Sequence, residues 1–368
     1  MQQLTFLRPG RLEWREVPAP RLQGPKEALV RPISVARCDL DRSVLYGEVP
    51  FKGRLLHYLR NHLPPAVGQR GLFRNAPFKG PYAFGHEFVG IVTDVGDAVQ
   101  TVAPGAIVAC SFQICCGECE FCREGLTGNC VGVPPRSMYG FGELGGDWGG
   151  ALSDSVRVPF ADFMLVPIPQ GLDPYALGSF PDNLVDGWRT VGPYLRDRPR
   201  SSVLVMGGGA VSVGLYAASI AVALGASRVT YVDADQGRRA LAGTFGVTDV
   251  AANAPERVRP VYDITVEASA SAAGLSVAVR STRPGGVCTS VGIYYEQQTP
   301  MPLLAMYGTG IRFVHGRVNS RRCMEEIMPL VASRQIRPEL VTGLTAAWGD
   351  APEALLDPAA KVIITRSG

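Results

Sequence analysis

The sequence predicts an α/β protein: a β-rich domain followed by a doubly wound parallel sheet, with a short return to the first domain at the end. Three observations predict it. Residues 1 to about 165 alternate short β-branched runs with Pro/Gly turns. From about Gly171 the rhythm becomes strand, helix, strand. A glycine-rich turn, Gly207-Gly208-Gly209, joins the first of these strands to its helix. Strands that alternate with helices imply a parallel sheet, because each strand needs a crossover to run in the same direction as the last.

In the first part, Ala28-Leu29-Val30, Val89-Gly90-Ile91-Val92, Ala106-Ile107-Val108-Ala109 and Ser155-Val156-Arg157-Val158 are strand runs bounded by turns. In the second, Val203 to Met206 reads as a buried strand and Ser212 to Leu224 as a helix of small and apolar residues. Arg228 to Val232 is the next strand, Gln236 to Phe245 a helix, Tyr262 to Val266 a third strand, and Gly286 to Val291 a fourth after the Arg283-Pro284-Gly285 turn. One amphipathic helix is expected around Arg321 to Ser333. The expected domains are residues 1–168, 169–306, and 307–368 as the return. Internal repeats and low-complexity segments are not seen.

The 368 residues suffice for two domains, and 46% hydrophobic with 19% charged residues is the balance of a soluble globular protein. No basic n-region with an apolar h-region opens the chain, and no apolar run reaches spanning length; Val211 to Ala226 reads as a buried helix. The cytoplasm is the expected compartment, with no membrane partner. The net charge is +3, but Arg42 to Lys79 holds seven Lys or Arg against Glu48 alone, a local balance of +6 that leaves −3 for the rest. A nucleic-acid footprint over the whole protein is not supported.

Four of nine cysteines fall in the spacing C-x2-C-x2-C-x7-C: Cys116, Cys119, Cys122 and Cys130. Without an export signal, metal binding outweighs a disulfide framework. Four thiolates suit a closed, structural zinc site that holds a lobe, 115–131, together. Cys110, Cys115, Cys288 and Cys323 read as ordinary packing. A second set is open. Cys38 and, forty-eight residues later, His86 in Gly85-His86-Glu87 supply two ligands. A catalytic zinc takes three protein ligands and leaves one position for a substrate oxygen, so the third comes from elsewhere.

With these motifs the chain resembles the zinc-containing medium-chain dehydrogenase/reductase superfamily, the alcohol dehydrogenases. The resemblance rests on C-x-x-D at Cys38 and Asp41, G-H-E at Gly85 to Glu87, the four-cysteine lobe and the strand–glycine turn–helix half. It implies a GroES-like catalytic domain, a Rossmann nucleotide domain, two zinc ions per chain and a small alcohol or carbonyl substrate. It places the third catalytic ligand in Ser179 to Trp188, at Asp182, with Asp186 as the competing candidate. An aspartate there, and the run from Trp148 to Pro159, resemble the formaldehyde- and polyol-type branches. Asp41 would orient His86; Glu87 would lie under the metal or form a buried ion pair. The family's Ser or Thr two residues after the catalytic cysteine is here Leu40, which carries no proton. Asp39, Ser43, His57 or water would replace it, or the reaction is a carbonyl, enone or iminium reduction without that relay. A catalytically idle nucleotide-binding protein is the reading from another class. The resemblance also implies a homodimer or homotetramer formed through the nucleotide domain.

The glycine turn admits two registers. One starts at Gly207 and puts Ser212 in the place of the third glycine; the other starts at Gly209 and puts Gly214 there and Val211 in the second place. The later register gives the family's usual distance to Leu224-Gly225-Ala226 and is preferred. Either way Gly207, Gly209, Ala210, Val211, Ser212 and Val213 face a pyrophosphate at a helix N-terminus. Asp233, at the end of the next strand, would bind the ribose hydroxyls and repel a 2′-phosphate, favouring NAD over NADP. Arg238 resembles a basic residue flanking that ribose, or is a solvated helix charge. Residues 48–80 form a basic insertion. Phe51, Leu55, Leu56, Leu59 and Leu63 fall on one helical face, read as a packed surface helix or as a lid for a large or acidic substrate.

Overall fold

The computed structural model describes residues 1–49, 78–252, 258, 261–295 and 298–366. The basic insertion falls mostly outside them, so its helix, its lid role and His57 lie outside the described residues. The chain forms two compact units. One comprises Met1–Asp182, Asn319–Glu326 and Thr342–Gly368, the other Asn183–Val318 and Ile327–Val341. No helix among the described residues is long and apolar enough to cross a membrane.

In chain order the strands of the first unit are β1 (Gln2–Arg8), β2 (Arg11–Glu16), β3 (Ala28–Ala36), β4 (Tyr82–Ala83), β5 (Glu87–Val95), β6 (Ile107–Cys110), β7 (Val156–Val158) and β8 (Leu165–Pro167). The second unit holds β9 (Val203–Met206), β10 (Val229–Val232), β11 (Asp249–Ala251), β12 (Tyr262–Glu267), β13 (Thr282–Ser290) and β14 (Arg312–His315). β15 (Leu344–Ala347) and β16 (Val362–Thr365) return to the first.

The first unit is the GroES-like domain. Its main sheet runs β15-β16-β3-β5-β6-β8 with β7 on β3, beside a small sheet β2-β1-β4. β3 and β5 form its centre and pair antiparallel, with Ala36 opposite Glu87 and β16 on the other side of β3. The second unit is the Rossmann domain. Its sheet runs β11-β10-β9-β12-β13-β14, with every neighbouring pair parallel. In chain order that is 3-2-1-4-5-6, the doubly wound arrangement in which ligands bind beyond the carboxyl ends of the strands.

The β9–β10 crossover is the Val211–Ala223 helix, in which every residue from Val211 to Ala221 is buried. Its uniformly apolar surface explains why the sequence shows a run rather than a stripe. One face of the sheet packs Leu204, Met206, Val232 and Cys288 against Leu275, Ala278 and Val279 of the Ala272–Ser281 helix. That helix and Val185–Asp197 were not anticipated from the sequence.

Candidate metal centres and nucleotide turn

Sheet register brings the open site together. Because Ala36 lies opposite Glu87, the chain leaving β3 meets the chain entering β5: Cys38 follows one and His86 precedes the other. Cys38 caps the helix Asp39–Leu45 in a reciprocal box. The Asp41 N–H donates to Cys38 Sγ at 3.2 Å and the Cys38 N–H to Asp41 Oδ2 at 3.1 Å. The C-x-x-D spacing is thus a helix start. Asp182 sits in a single π-helical turn, Phe180–Leu184, whose Pro181 carbonyl accepts from the Ser320 hydroxyl. Such turns are rare and concentrate at functional sites.

The His86 ring lies between two carboxylates. Nε2 is 3.2 Å from Asp182 Oδ2, and Nδ1 is 3.5 Å from Asp41 Oδ2. One donor atom from each of Cys38, His86 and Asp182 falls within 4.8 Å of the others, and all three residues are buried. Zinc bonds of about 2.0–2.3 Å set tetrahedral ligands roughly 3.3–3.8 Å apart, near the 3.2 Å between His86 Nε2 and Asp182 Oδ2, so these three could hold the ion and would leave a fourth position. The charge state of the bare polypeptide points the same way. Burial, then Asp41, Asp182 and Glu87, push the Cys38 thiol well above its ordinary range. Burial raises the Asp41 carboxyl despite His86 and the Cys38 N–H. For His86 burial lowers the pKa, but Asp41, Asp182 and Glu87 outweigh it and bring it up to about 9. A divalent ion shared by three such donors would favour their deprotonated forms.

Phe112 and Phe141 flank the imidazole, with ring centroids 5.2 and 4.8 Å away. His86 Nδ1 and Asp41 Oδ1 are buried without a hydrogen-bond partner, so Asp41 stands beside the ring nitrogen that faces away from Asp182. Glu87 forms a fully buried ion pair with Lys361, Oε2 to Nζ 2.6 Å. Lys361 also donates to the Arg37 carbonyl at 3.0 Å. The Arg37 guanidinium in turn donates to the carbonyls of Leu355, Asp357 and Ala359 at 2.7, 2.6 and 2.6 Å. Asp186 pairs with Arg189 within the Val185–Asp197 helix and is not part of the donor set. Leu40 lies half-buried in the first turn after Cys38.

The sulfurs of Cys116, Cys119, Cys122 and Cys130 also converge within 4.8 Å. Cys130 Sγ is 3.5 Å from Cys116 Sγ and 3.9 Å from Cys119 Sγ, close to the spacing of tetrahedral thiolates on zinc. The Cys119 thiol is brought down to about 6: burial opposes this, but N–H donors at Cys122 and Val131 overcome it. Such donors favour a thiolate before any ion arrives. Cys38, Cys110, Cys115, Cys288 and Cys323 are buried and outside any disulfide. Burial pushes the Cys115 and Cys288 thiols up to about 12, which leaves them inert.

The nucleotide turn combines both registers. Gly207 follows β9 directly and donates to Val232 O at 2.8 Å; Gly209 and Ala210 donate to Ser269 O and Ala268 O at 3.0 and 2.9 Å. Gly208 has φ +148°, open mainly to glycine. A Cβ on Gly214 would lie 3.2 Å from Ala268 Cβ, so Gly214 carries the close helix–strand packing of a third glycine. Ser212 is instead buried against Asn183, Oγ to Oδ1 2.8 Å. The Val211–Ala223 helix has no side-chain cap hydrogen bond at Ala210, and its positive dipole end lies at Val211, Ser212 and Val213, just past the glycine turn. Asp233, at the end of β10, is 2% exposed and ion-paired with Arg238, Oδ1 to Nη2 2.9 Å. A nicotinamide dinucleotide fits this turn.

Residues 24–170 match the family described as the alcohol dehydrogenase GroES-like domain, and residues 212–333 the family described as zinc-binding dehydrogenase. Over 265 residues the chain is 33% identical to a protein of Mycobacterium tuberculosis named as a zinc-binding alcohol dehydrogenase, covering 71% of this chain and 67% of that one. The chain belongs to the zinc-binding alcohol dehydrogenase family. It is 29% identical over 270 residues to a glutathione-independent formaldehyde dehydrogenase of Pseudomonas aeruginosa, covering 68% of this chain and 59% of the relative. It also matches the solved structure of alcohol dehydrogenase TADH from Thermus sp. ATN1 with a TM-score of 0.83, 30% identity and 100% of both chains covered. Membership makes it an oxidoreductase whose family uses zinc and a nicotinamide cofactor.

Against that family's motifs, two side chains near the open site escaped sequence reasoning, Arg37 and Lys361. Nothing in a local pattern marks Lys361, since its partner lies 274 residues away. Arg37, a charge ending an apolar strand run, was the one visible signal.

Proposed function

We propose that this alcohol dehydrogenase family member is a zinc-dependent enzyme that moves hydride between NAD(H) and an alcohol or carbonyl substrate, most simply a secondary or functionalised alcohol. The observation that supports it is the buried convergence of Cys38, His86 and Asp182. These three would hold a catalytic zinc, and Cys116, Cys119, Cys122 and Cys130 a structural one. When bound, the zinc supplies Lewis acidity toward a substrate oxygen and the nicotinamide supplies or accepts the hydride. Asp41, beside His86 Nδ1, keeps Nε2 turned toward Cys38 and Asp182. Phe112 and Phe141 keep water from the imidazole faces. Asp233 would accept the adenosine ribose hydroxyls and favour NAD over NADP.

Leu40 favours the iminium branch of the second reading, a carbonyl, enone or iminium reductase. With leucine there, the proton that an alcohol gives up on oxidation, or that a carbonyl or enone takes up on reduction, needs another carrier, whereas hydride addition to an iminium carbon completes the amine with no proton to move. A homodimer or homotetramer belongs to the same proposal. Its support is exposed apolar surface beside the edge strand β14: Leu304 is 85% and Tyr307 89% exposed. A monomer by sedimentation would contradict it.

The test follows reduced nicotinamide by absorbance with zinc-loaded protein, offering NAD with alcohols and NADH with ketones, aldehydes, enones and imines. Turnover is expected on at least one class, with a loss of roughly 100-fold or more in Asp182→Asn. Equal turnover in that variant would overturn the role of Asp182. Turnover on enones or imines but never on alcohols would select the reductase.

A further inference from the structure

Three donors already hold the Asp233 carboxylate before any cofactor arrives. The Tyr231 hydroxyl donates to Oδ2 at 2.9 Å, while the Asp235 N–H and Arg238 Nη2 each reach Oδ1 at 2.9 Å. Tyr231 and Asp233 are two residues apart at the end of β10, so their side chains share one face. The tyrosine is completely buried, and its hydroxyl comes up directly under the glycine turn. A Cβ on Gly207 would stand 2.5 Å from both Tyr231 Oη and Asp233 Oδ2. Turn, hydroxyl and carboxylate are therefore one packed unit.

A carboxylate rejects a 2′-phosphate only while it faces the ribose. An aspartate side chain has two rotors and can turn away, and here a cation pulls on it. The Arg238 side chain is 24% exposed, its Nη1 is 3.5 Å from Gly208 O, and its Nε is buried without a partner. Released from Oδ2, the carboxylate would follow Arg238 outward, and the guanidinium would become available to a phosphate. Of the three donors, Tyr231 alone holds Oδ2 from beneath.

We propose that Tyr231 is the positioning residue that makes Asp233 discriminate between NAD and NADP. This rests on the proposal that Asp233 meets the adenosine ribose. Tyr231→Phe keeps the ring in the sheet and removes only the hydroxyl. Equilibrium binding of NAD and of NADP, read by calorimetry on the zinc-loaded full chain, compares wild type, Tyr231→Phe and Asp233→Ala. The ratio of the two affinities cancels any general loosening of the site, so a merely structural role would not move it. Expected is a wild type that prefers NAD, a ratio lowered roughly ten-fold in Tyr231→Phe, and a larger fall in Asp233→Ala. A Tyr231→Phe ratio equal to wild type, with Asp233→Ala collapsed, would overturn the role of Tyr231 and leave that of Asp233 standing. A wild type that prefers NADP, or a ratio indifferent to Asp233→Ala, would remove the ribose role and the inference with it.

Discussion

Lys361 and Glu87 show what a single buried charge does in this domain. Both are completely buried and form an ion pair, Nζ to Oε2 2.6 Å, away from water. Lys361→Met is expected to cost about 3–5 kcal/mol by leaving Glu87 without its ammonium, and a second change, Glu87→Gln, to restore most of it. Denaturant midpoints of the single and double variants measure this; an unshifted midpoint in Lys361→Met would contradict it. At this scale the sequence was readable where the chemistry is local. Cys38 with Asp41 is a helix-capping spacing, and His86 with Glu87 opens a strand. Asp182 was readable only through resemblance, because a π-helical turn has no residue signature of its own. Glu87 came out as the ion pair that had been its alternative role, and the coulombic pull it exerts on His86 persists beside that pair.

The four-cysteine lobe turns on Gly117. Gly117 has φ +78°, and a Cβ there would lie 2.6 Å from the Phe163 ring. Gly117→Ala therefore meets both a backbone penalty and a collision, together on the order of 1–3 kcal/mol. A lower melting temperature and faster loss of one zinc to a chelator are expected; melting and chelator curves matching wild type would contradict the requirement. Elements with a strong period or a uniform apolar run were legible to within a residue or two. The Val211–Ala223 helix was expected at Ser212 to Leu224, and Ser320–Ala332 at Arg321 to Ser333. Missed were Ala272–Ser281, which opens on Ser-Ala-Ser-Ala-Ala-Gly, and Val185–Asp197, which contains Gly187, Gly192 and Pro193. Both read locally as loop, and tertiary packing overrides them: a Cβ on Gly187 would strike Tyr216 at 2.7 Å. In the glycine turn, Gly214, the third glycine of the register preferred on spacing, is the one packed closely against Ala268.

At the scale of the molecule, one arrangement recurs in each unit: a sheet fixes the geometry, and the residues proposed to carry the chemistry lie just past its strand ends. In the GroES-like unit the β3–β5 register delivers Cys38 and His86; in the Rossmann unit the ends of β9 and β10 deliver Gly207 and Asp233. Fold class was therefore legible from rhythm alone, whereas the full donor set needed chain segments 144 positions apart in number, from Cys38 to Asp182. The central claim is that two zinc sites coexist, one closed and one open. Elemental analysis of zinc per chain, on wild type and His86→Ala purified without added metal, tests it most directly. Two zincs falling to one is the expected result, with the remaining ion reporting an intact cysteine lobe. One zinc in both proteins would contradict the open site and with it the zinc-dependent reaction.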